Sequence, residues 1–235
     1  MSAELNSSPE RTGYAVLRRA MVDNQLRTFN ITDRSVLDRM QSVPRENFLP
    51  PEQAAIAYSD RALTLTEGNE SRRMLAPMIL ARMIQAAAIS PADRILDVGG
   101  AAGYSAAVLA GLGAEVVALE SDLAMTRKAE ANLKNAGIRN VRAVCGPLEA
   151  GLAEAGPFDV IIVNGMIETV PDRLLAQLAD GGRLVAVRRT SNDPTGRAGK
   201  AVQYEKSGQA VGVKEIFDTS APVLPGFQAA RSFAL

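Results

Sequence analysis

Arg94-Ile95-Leu96-Asp97-Val98-Gly99-Gly100-Ala101-Ala102-Gly103-Tyr104 is the stretch on which the reading of this chain turns. Ile95, Leu96 and Val98 form an apolar run of strand length that carries one acid, Asp97. Gly99 and Gly103 then allow a tight turn and a close backbone approach, with Gly100 and Ala101 between them, and an apolar helical pattern begins at Ser105. A buried strand that breaks through small residues into a helix reads as the nucleotide end of a Rossmann-type sheet, where a nucleoside would lie across the turn. Close strand-to-helix packing also needs small residues, so the turn alone leaves a purely structural role open.

Spacing strengthens the nucleotide reading. Glu115-Val116-Val117-Ala118-Leu119-Glu120 reads as a second strand ending in a carboxylate, the placement from which an acid accepts hydrogen bonds from two ribose hydroxyls. Ser121-Asp122 follows as a possible helix start, so the rival role for Glu120 is to cap that helix. Asp97, Gly99, Gly100, Ala101, Gly103, Glu120 and Ser121 are therefore the candidate cofactor-binding residues of this half.

The surrounding pattern predicts helices near 13–28, 33–42, 51–57 and 76–88. Strands near 94–98, 115–119, 141–145, 158–163 and 182–188 then alternate with helices near 103–112, 122–136 and 170–179. Such alternation predicts an α/β, doubly wound, mostly parallel sheet. Two extended segments near 200–206 and 212–218, joined by Ser207-Gly208, would add an antiparallel edge. The expected organisation is a flexible terminus over 1–12 and one domain over 13–235: an N-terminal helical cap (13–75), a Rossmann-like core (76–220) and a tail (221–235) that packs back on it. Phe227 and Phe233 motivate the docked tail, because aromatic residues are poor disorder composition; a mobile lid is the alternative. The polar run from Ser191 to Gly196 reads as a mobile hairpin-like connection.

Composition excludes several chemistries. The chain has 235 residues with 26 basic and 26 acidic side chains, so no global field favours nucleic acid or anionic lipid. It contains no histidine and one cysteine, which rules out Ser-His and Cys-His triads, the common zinc frameworks and an intramolecular disulfide. Cys145, at the end of an apolar run, reads as a core thiol rather than a nucleophile. No membrane-length apolar run or signal-type N-terminus is present, so a cytoplasmic protein without nucleic-acid or membrane partners and without a metal is expected.

Five segments in order now carry a family resemblance: Met21-Val22-Asp23-Asn24-Gln25-Leu26-Arg27, Val43-Pro44-Arg45-Glu46-Asn47-Phe48-Leu49-Pro50, Ala57-Tyr58-Ser59-Asp60, the glycine-turn strand, and Phe158-Asp159-Val160-Ile161-Ile162-Val163. The chain resembles the protein-L-isoaspartate O-methyltransferases over most of residues 14–187. The pre-sheet motifs are the more specific part, although Pro44 and Pro50 could simply bracket a turn with Phe48 packed beneath it. The resemblance implies a class I methyltransferase that uses S-adenosyl-L-methionine to methylate a carboxylate of a protein or peptide. A substrate carboxylate with a pKa of about 4 is already anionic, so the absence of histidine removes nothing that this reaction needs.

Three departures from the family pattern bear on the site. The usual Gly-x-Thr-Ile-Ser-Gln-Pro segment is Gly68-Asn69-Glu70-Ser71-Arg72-Arg73-Met74-Leu75-Ala76-Pro77, in which Arg73, Met74 and Leu75 take the Thr, Ile and Ser places. Ser71 and Arg73 are the candidate catalytic residues: Ser71 could return a hydroxyl through a remodelled loop, and Arg73 could clamp a carboxylate or phosphate. Arg72-Arg73 as a solvated pair at a helix start is the alternative. The middle glycine of the turn is Ala101, tolerable at negative φ and strained at a left-handed position. The usual Gly-Asp-Gly is Gly146-Pro147-Leu148, which replaces an adenine acceptor with Pro147 and Leu148 as packing surfaces. Asn164, after the fourth strand, is either a polar cofactor contact or a turn former before Gly165. A methyltransferase on another acceptor and a non-catalytic nucleotide-binding scaffold stay open beside the leading reading; a dehydrogenase is a distant option.

Overall fold

The computed structural model describes residues 9–66, 72–190 and 198–229. Helix α1 (Pro9–Met21) runs on through a π turn (Val22–Leu26) and a 3-10 turn (Arg27–Phe29) to Asn30, whose φ of 63° ends the helical run. Asp33 caps α2 (Arg34–Ser42) by accepting from the Ser35 and Val36 amides. Two 3-10 turns (Arg45–Phe48, Pro51–Ile56) lead to a two-stranded hairpin, β1 (Leu63–Thr64) against β2 (Arg73–Met74), which no periodicity in the sequence announces. Pro77 then opens α3 (Pro77–Ala87) at the first helical position, where a missing N–H costs nothing.

The core follows the predicted alternation: β3 (Arg94–Val98), α4 (Tyr104–Leu109), β4 (Glu115–Glu120), α5 (Leu123–Asn135), β5 (Val141–Cys145), β6 (Phe158–Ile167), α6 (Asp172–Ala176), β7 (Leu178–Arg189), β8 (Gly199–Ser207) and β9 (Ala210–Thr219). The sheet order is β5-β4-β3-β6-β7-β8-β9, with parallel pairing from β5 to β7 and antiparallel pairing for β8 and β9. The central strands bury both faces, as parallel strands sandwiched between helices must. Two core clusters, one on each face, share no residue: Ile95, Val116 and Ile162 point to the side of the N-terminal helices, Leu96, Val117 and Ile161 to the other.

Three expectations are corrected. The helix expected over 170–179 is only α6, because Leu178 already pairs with Phe158 in the sheet. Strand β6 does not stop at Val163 but continues to Ile167, and the β6–β7 register slips between Ile162 and Met166 so that Asn164 and Gly165 lie in an irregular stretch of strand. Cys145 is not a core thiol: it is exposed at the carboxyl end of the edge strand β5. The frayed segment expected at the N-terminus lies outside the described residues up to Ser8, and from Pro9 the backbone is helical. The connection from Ser191 to Gly196, Ser71 and Phe233 also lie outside the described residues.

The pre-sheet motifs act as an anchor between the helical cap and the core. Arg45 has no exposed surface; its Nε donates to the Ala57 carbonyl (2.8 Å), its Nη2 to the Leu75 carbonyl (2.7 Å), and its guanidinium lies 4.8 Å from the Tyr104 ring centre. Phe48 meets the same ring edge-on, at 5.7 Å. Gln25 donates to the Tyr58 carbonyl (3.0 Å), and Arg39 from α2 donates to the Ala107 and Val108 carbonyls of α4. The helix that follows the glycine turn is thereby held by Arg39, Arg45 and Phe48 of the N-terminal region.

Candidate active site

Doubly wound sheets place ligands outside the carboxyl ends of their strands, at the point where strand order reverses. Here that point lies between β3 and β6, and the residues around it come from the glycine turn, the end of β4, the irregular part of β6, the β1–β2 hairpin and the tail. Gly99 has φ +70° and Gly103 φ +92°, so both glycines stand where a side chain would be strained. Ala101 also stands in the left-handed region, at φ 53°. Gly100 is needed for a different reason: a Cβ there would come within 2.3 Å of Asp97 Oδ2 and 2.4 Å of Ser105 Oγ.

Asp97 organises the turn from below. Its Oδ2 accepts from Ser105 Oγ (2.6 Å) and its Oδ1 from Asn164 Nδ2 (2.7 Å), while the same Asn164 amide reaches the Val98 carbonyl (3.1 Å). Burial pushes the Asp97 carboxyl up to about 6; the hydrogen bonds from Ser105 and Asn164 pull it down, and the charge of Glu120 pushes it up again. Asn164 is therefore neither a turn former nor an open polar contact. It is a buried tie between β6 and β3, in a strand that the sequence pattern ends at Val163, four residues too early.

Glu120 is the acid at the mouth of the site, and the helix-cap role passes to Asp122, whose Oδ1 accepts from the Met125 amide at the start of α5. Glu120 is buried. Its Oε1 accepts from the Ser121 amide (2.8 Å) and hydroxyl (3.3 Å); its Oε2 accepts from the Ala101 amide (3.0 Å) and from Arg72 Nη2 (2.6 Å). The carboxylate that ends β4 thus closes the glycine turn through Ala101 and carries an ion pair to the hairpin.

That ion pair corrects the placement of the arginines. Arg73 pairs with Thr64 in the hairpin and is exposed, whereas its neighbour Arg72 is only 3% exposed and reaches the glycine turn. Successive residues of an extended segment point to opposite sides, so only one of the two can enter. The Arg72 backbone is fixed in turn: its N–H donates to Thr66 Oγ1 (2.9 Å) and its carbonyl accepts from Leu65 (2.8 Å). A solvated pair is excluded as well, since one member is buried.

On the adenine side, Leu148 is 1% exposed within the core cluster on the face away from the N-terminal helices and Pro147 is exposed, so of the two packing surfaces expected there Leu148 is committed to the core. Sequence reasoning missed Leu224. The segment from Pro222 runs along the end of β6, with Met166 N–H donating to the Pro222 carbonyl (2.7 Å), Leu224 N–H to the Met166 carbonyl (3.0 Å) and Glu168 N–H to the Phe227 carbonyl (2.9 Å). This lays the Leu224 side chain over Gly165 and Gly99. No local signal in residues 222–227 names those glycines as neighbours. Clefts of about 570 and 630 Å³ open beside α5 and β5 and beneath α6, but no residue of the glycine turn lines either, and the strand-end chemistry is the better guide to function.

Strand order, glycine turn and strand-ending acid define a Rossmann-like methyltransferase scaffold. A sequence model of the protein-L-isoaspartate(D-aspartate) O-methyltransferase family matches residues 17–216. A protein-L-isoaspartate O-methyltransferase of Koribacter versatilis is 40% identical over 179 residues, which is 76% of this chain and 79% of that protein. Its namesake in Methylorubrum populi is 44% identical over 168 residues, 72% and 77% of the two chains. Among solved structures, a protein-L-isoaspartate O-methyltransferase superposes with a TM-score of 0.77 at 26% identity, covering 89% of this chain and 66% of that one. A Plasmodium falciparum counterpart, solved in complex with S-adenosyl-L-homocysteine, superposes with a TM-score of 0.73 at 21% identity over 88% and 97% of the chains, a likeness of fold. The chain belongs to the protein-L-isoaspartate(D-aspartate) O-methyltransferase family.

Proposed function

We propose that this chain is an S-adenosyl-L-methionine-dependent methyltransferase that esterifies a carboxylate on a protein or peptide, with isoaspartyl residues the acceptor implied by its family. The observation that carries the reading is Glu120: a buried carboxylate at the end of β4, one backbone amide away from the glycine turn, in the position from which a ribose diol is held. The residues fit such a group. Gly99, Gly100, Ala101 and Gly103 keep the turn free of side chains larger than methyl, Ser121 orients the Glu120 carboxylate, and Asp97 with Asn164 fixes the strand ends beneath it.

When bound, the cofactor supplies an electrophilic methyl group. The chain's own task is to bind, orient and dry the acceptor, because an anionic carboxylate needs no general base and the chain has no histidine to offer one. Arg73, exposed on the hairpin beside the site, would meet an acidic peptide there, and Ser71, two residues before it in the sequence, remains the candidate hydroxyl. No helix among the described residues is long and apolar enough to cross a membrane, which suits a substrate met in the cytoplasm.

Calorimetric titration with S-adenosyl-L-homocysteine tests the reading. Wild type is expected to bind, and Glu120→Ala to bind about 100-fold more weakly, the loss of two hydrogen bonds to a charged group. Methyl transfer to an isoaspartyl peptide, absent with its aspartyl isomer, would confirm the acceptor; binding unaffected by Glu120→Ala would remove the site.

A further inference from the structure

The cofactor end of the site is filled by the chain itself. A Cβ on Gly99 would lie 3.0 Å from Arg72 Nη2 and 3.2 Å from both Leu224 methyl carbons, and a Cβ on Gly165 only 2.5 Å from Leu224 Cγ. The space that a glycine leaves over a nucleotide turn normally admits the ligand; here a guanidinium and a leucine occupy it. Glu120 is saturated as well, since Arg72, Ala101 and Ser121 together direct four hydrogen bonds to its two oxygens.

We infer that Arg72 and the Pro222–Phe227 strap form a latch over the nucleoside site, and that Arg72 must leave Glu120 before a ribose can take its place. The inference rests on the cofactor reading above and adds to it a gate built from this chain's own residues.

Several features favour opening of the latch. Arg72 Nε is buried without a hydrogen-bond partner, so the guanidinium is incompletely satisfied where it sits. A buried ion pair returns little net stability, because desolvation of both charges offsets their attraction. The hairpin that carries Arg72 has, among the described residues, two residue pairs, Leu63 with Met74 and Thr64 with Arg73, extended by the backbone hydrogen bonds of Arg72 with Leu65 and Thr66. The strap is held to the end of β6 by three backbone hydrogen bonds, by Ala229 N–H donating to Glu168 Oε2 (2.7 Å) and by the burial of Leu224 and Phe227, but it is a short contact at the sheet's end rather than a strand within it. Gly165 explains how the strap comes so close: any side chain there would collide with Leu224.

A ligand that binds only the open form has its apparent affinity lowered by the fraction of molecules that are open. Removing the latch therefore raises affinity, the reverse of what loss of a ligand contact does. Arg72→Gln and Leu224→Ala are compared with wild type by calorimetry and by stopped-flow association of S-adenosyl-L-homocysteine. Each variant is expected to bind about tenfold more tightly, with wild-type association rates that level off at high ligand and variant rates that keep rising. Hydrogen exchange on the wild-type protein needs no variant to fold: the Met166 and Leu224 amides should lose protection when the ligand is added. Equal or weaker binding by both variants, with unchanged protection at Leu224, overturns the latch while leaving the cofactor site standing. Binding by the variants but not by wild type supports the latch in its strongest form. No binding by any folded protein, the Arg72→Gln, Leu224→Ala double variant included, overturns the cofactor reading and the latch with it.

Discussion

Arg45 and Arg72 are both buried arginines, yet they do opposite things. Arg45 lies in a stretch that keeps the family's motif, and two backbone carbonyls and an aromatic ring hold it between the helical cap and the start of α4. Burial lowers its pKa while Tyr104 raises it, and neither of its acceptors can turn away without unfolding local backbone. Arg72 lies where the family's motif is lost, and its guanidinium is held by one side chain, Glu120, at the mouth of a site. Each leaves one nitrogen unpaired. The comparison teaches that burial of a charge does not by itself mark structure or function; the identity of the acceptor does. Backbone carbonyls make an anchor, and a carboxylate that a ligand can claim makes a gate.

The largest effect should come from breaking the anchor. Arg45→Ala leaves the Ala57 and Leu75 carbonyls buried without a donor and strips the Tyr104 ring, which should cost about 4 kcal/mol of unfolding free energy. Arg45→Lys should recover only part of that, because one ammonium on a flexible stem cannot reproduce the fork. Urea unfolding measures both. A loss below about 1 kcal/mol would show that the cap is held elsewhere and would dissolve the contrast with Arg72.

The same contrast shows where sequence reasoning stops. Strands β3, β4 and β5 are legible to within a residue because their apolar runs are bounded by turn signals, and Glu120 is legible because it ends such a run beyond a glycine turn. What the pattern hides is whatever depends on distant residues. Nothing local states which of Arg72 and Arg73 turns inward, since their shared charge is identical and the side is chosen by pairing with Thr64 and Leu65. Leu224 meets Gly99 only because β6 runs past Asn164, an extension that Gly165 disguises as a turn. Cys145 follows the same rule: an apolar run predicts burial, and only the sheet order makes β5 an edge.

A second prediction concerns the floor of the site. Asp97 titrates near 6 when folded, above the ordinary range, so it favours the folded state while protonated. That contribution is fully present below the unfolded pKa of about 4 and is lost as pH rises through about 6, a change of about 3 kcal/mol. Asp97→Asn keeps the shape and removes the charge. Its stability relative to wild type should therefore climb between pH 4 and pH 6, by about 3 kcal/mol at most. Parallel unfolding curves at pH 4, 5, 6 and 7 read this directly. A flat difference would mean that the carboxyl is ionised throughout, held by Ser105 and Asn164 alone.

The smallest effect sharpens the turn itself. Ala101 adopts φ 53°, a conformation that costs an alanine about 1 kcal/mol or more, while its amide is committed to Glu120. Ala101→Gly removes that strain but adds backbone freedom to the unfolded chain, worth about 0.5–1 kcal/mol, and takes a methyl from the contact with Met125. The two sides nearly cancel, so stability should stay within about 0.5 kcal/mol of wild type. Ala101→Val separates them: a β-branched side chain gains no relief from strain at positive φ and should lose about 2 kcal/mol or more. If glycine instead destabilises by more than about 1 kcal/mol, the Ala101 methyl is a packing residue of the turn and its left-handed backbone is tolerated for that reason. If glycine is neutral and valine is not, the strain is stored in the backbone that presents the Ala101 amide to Glu120, and the turn is shaped for the carboxylate rather than for the core.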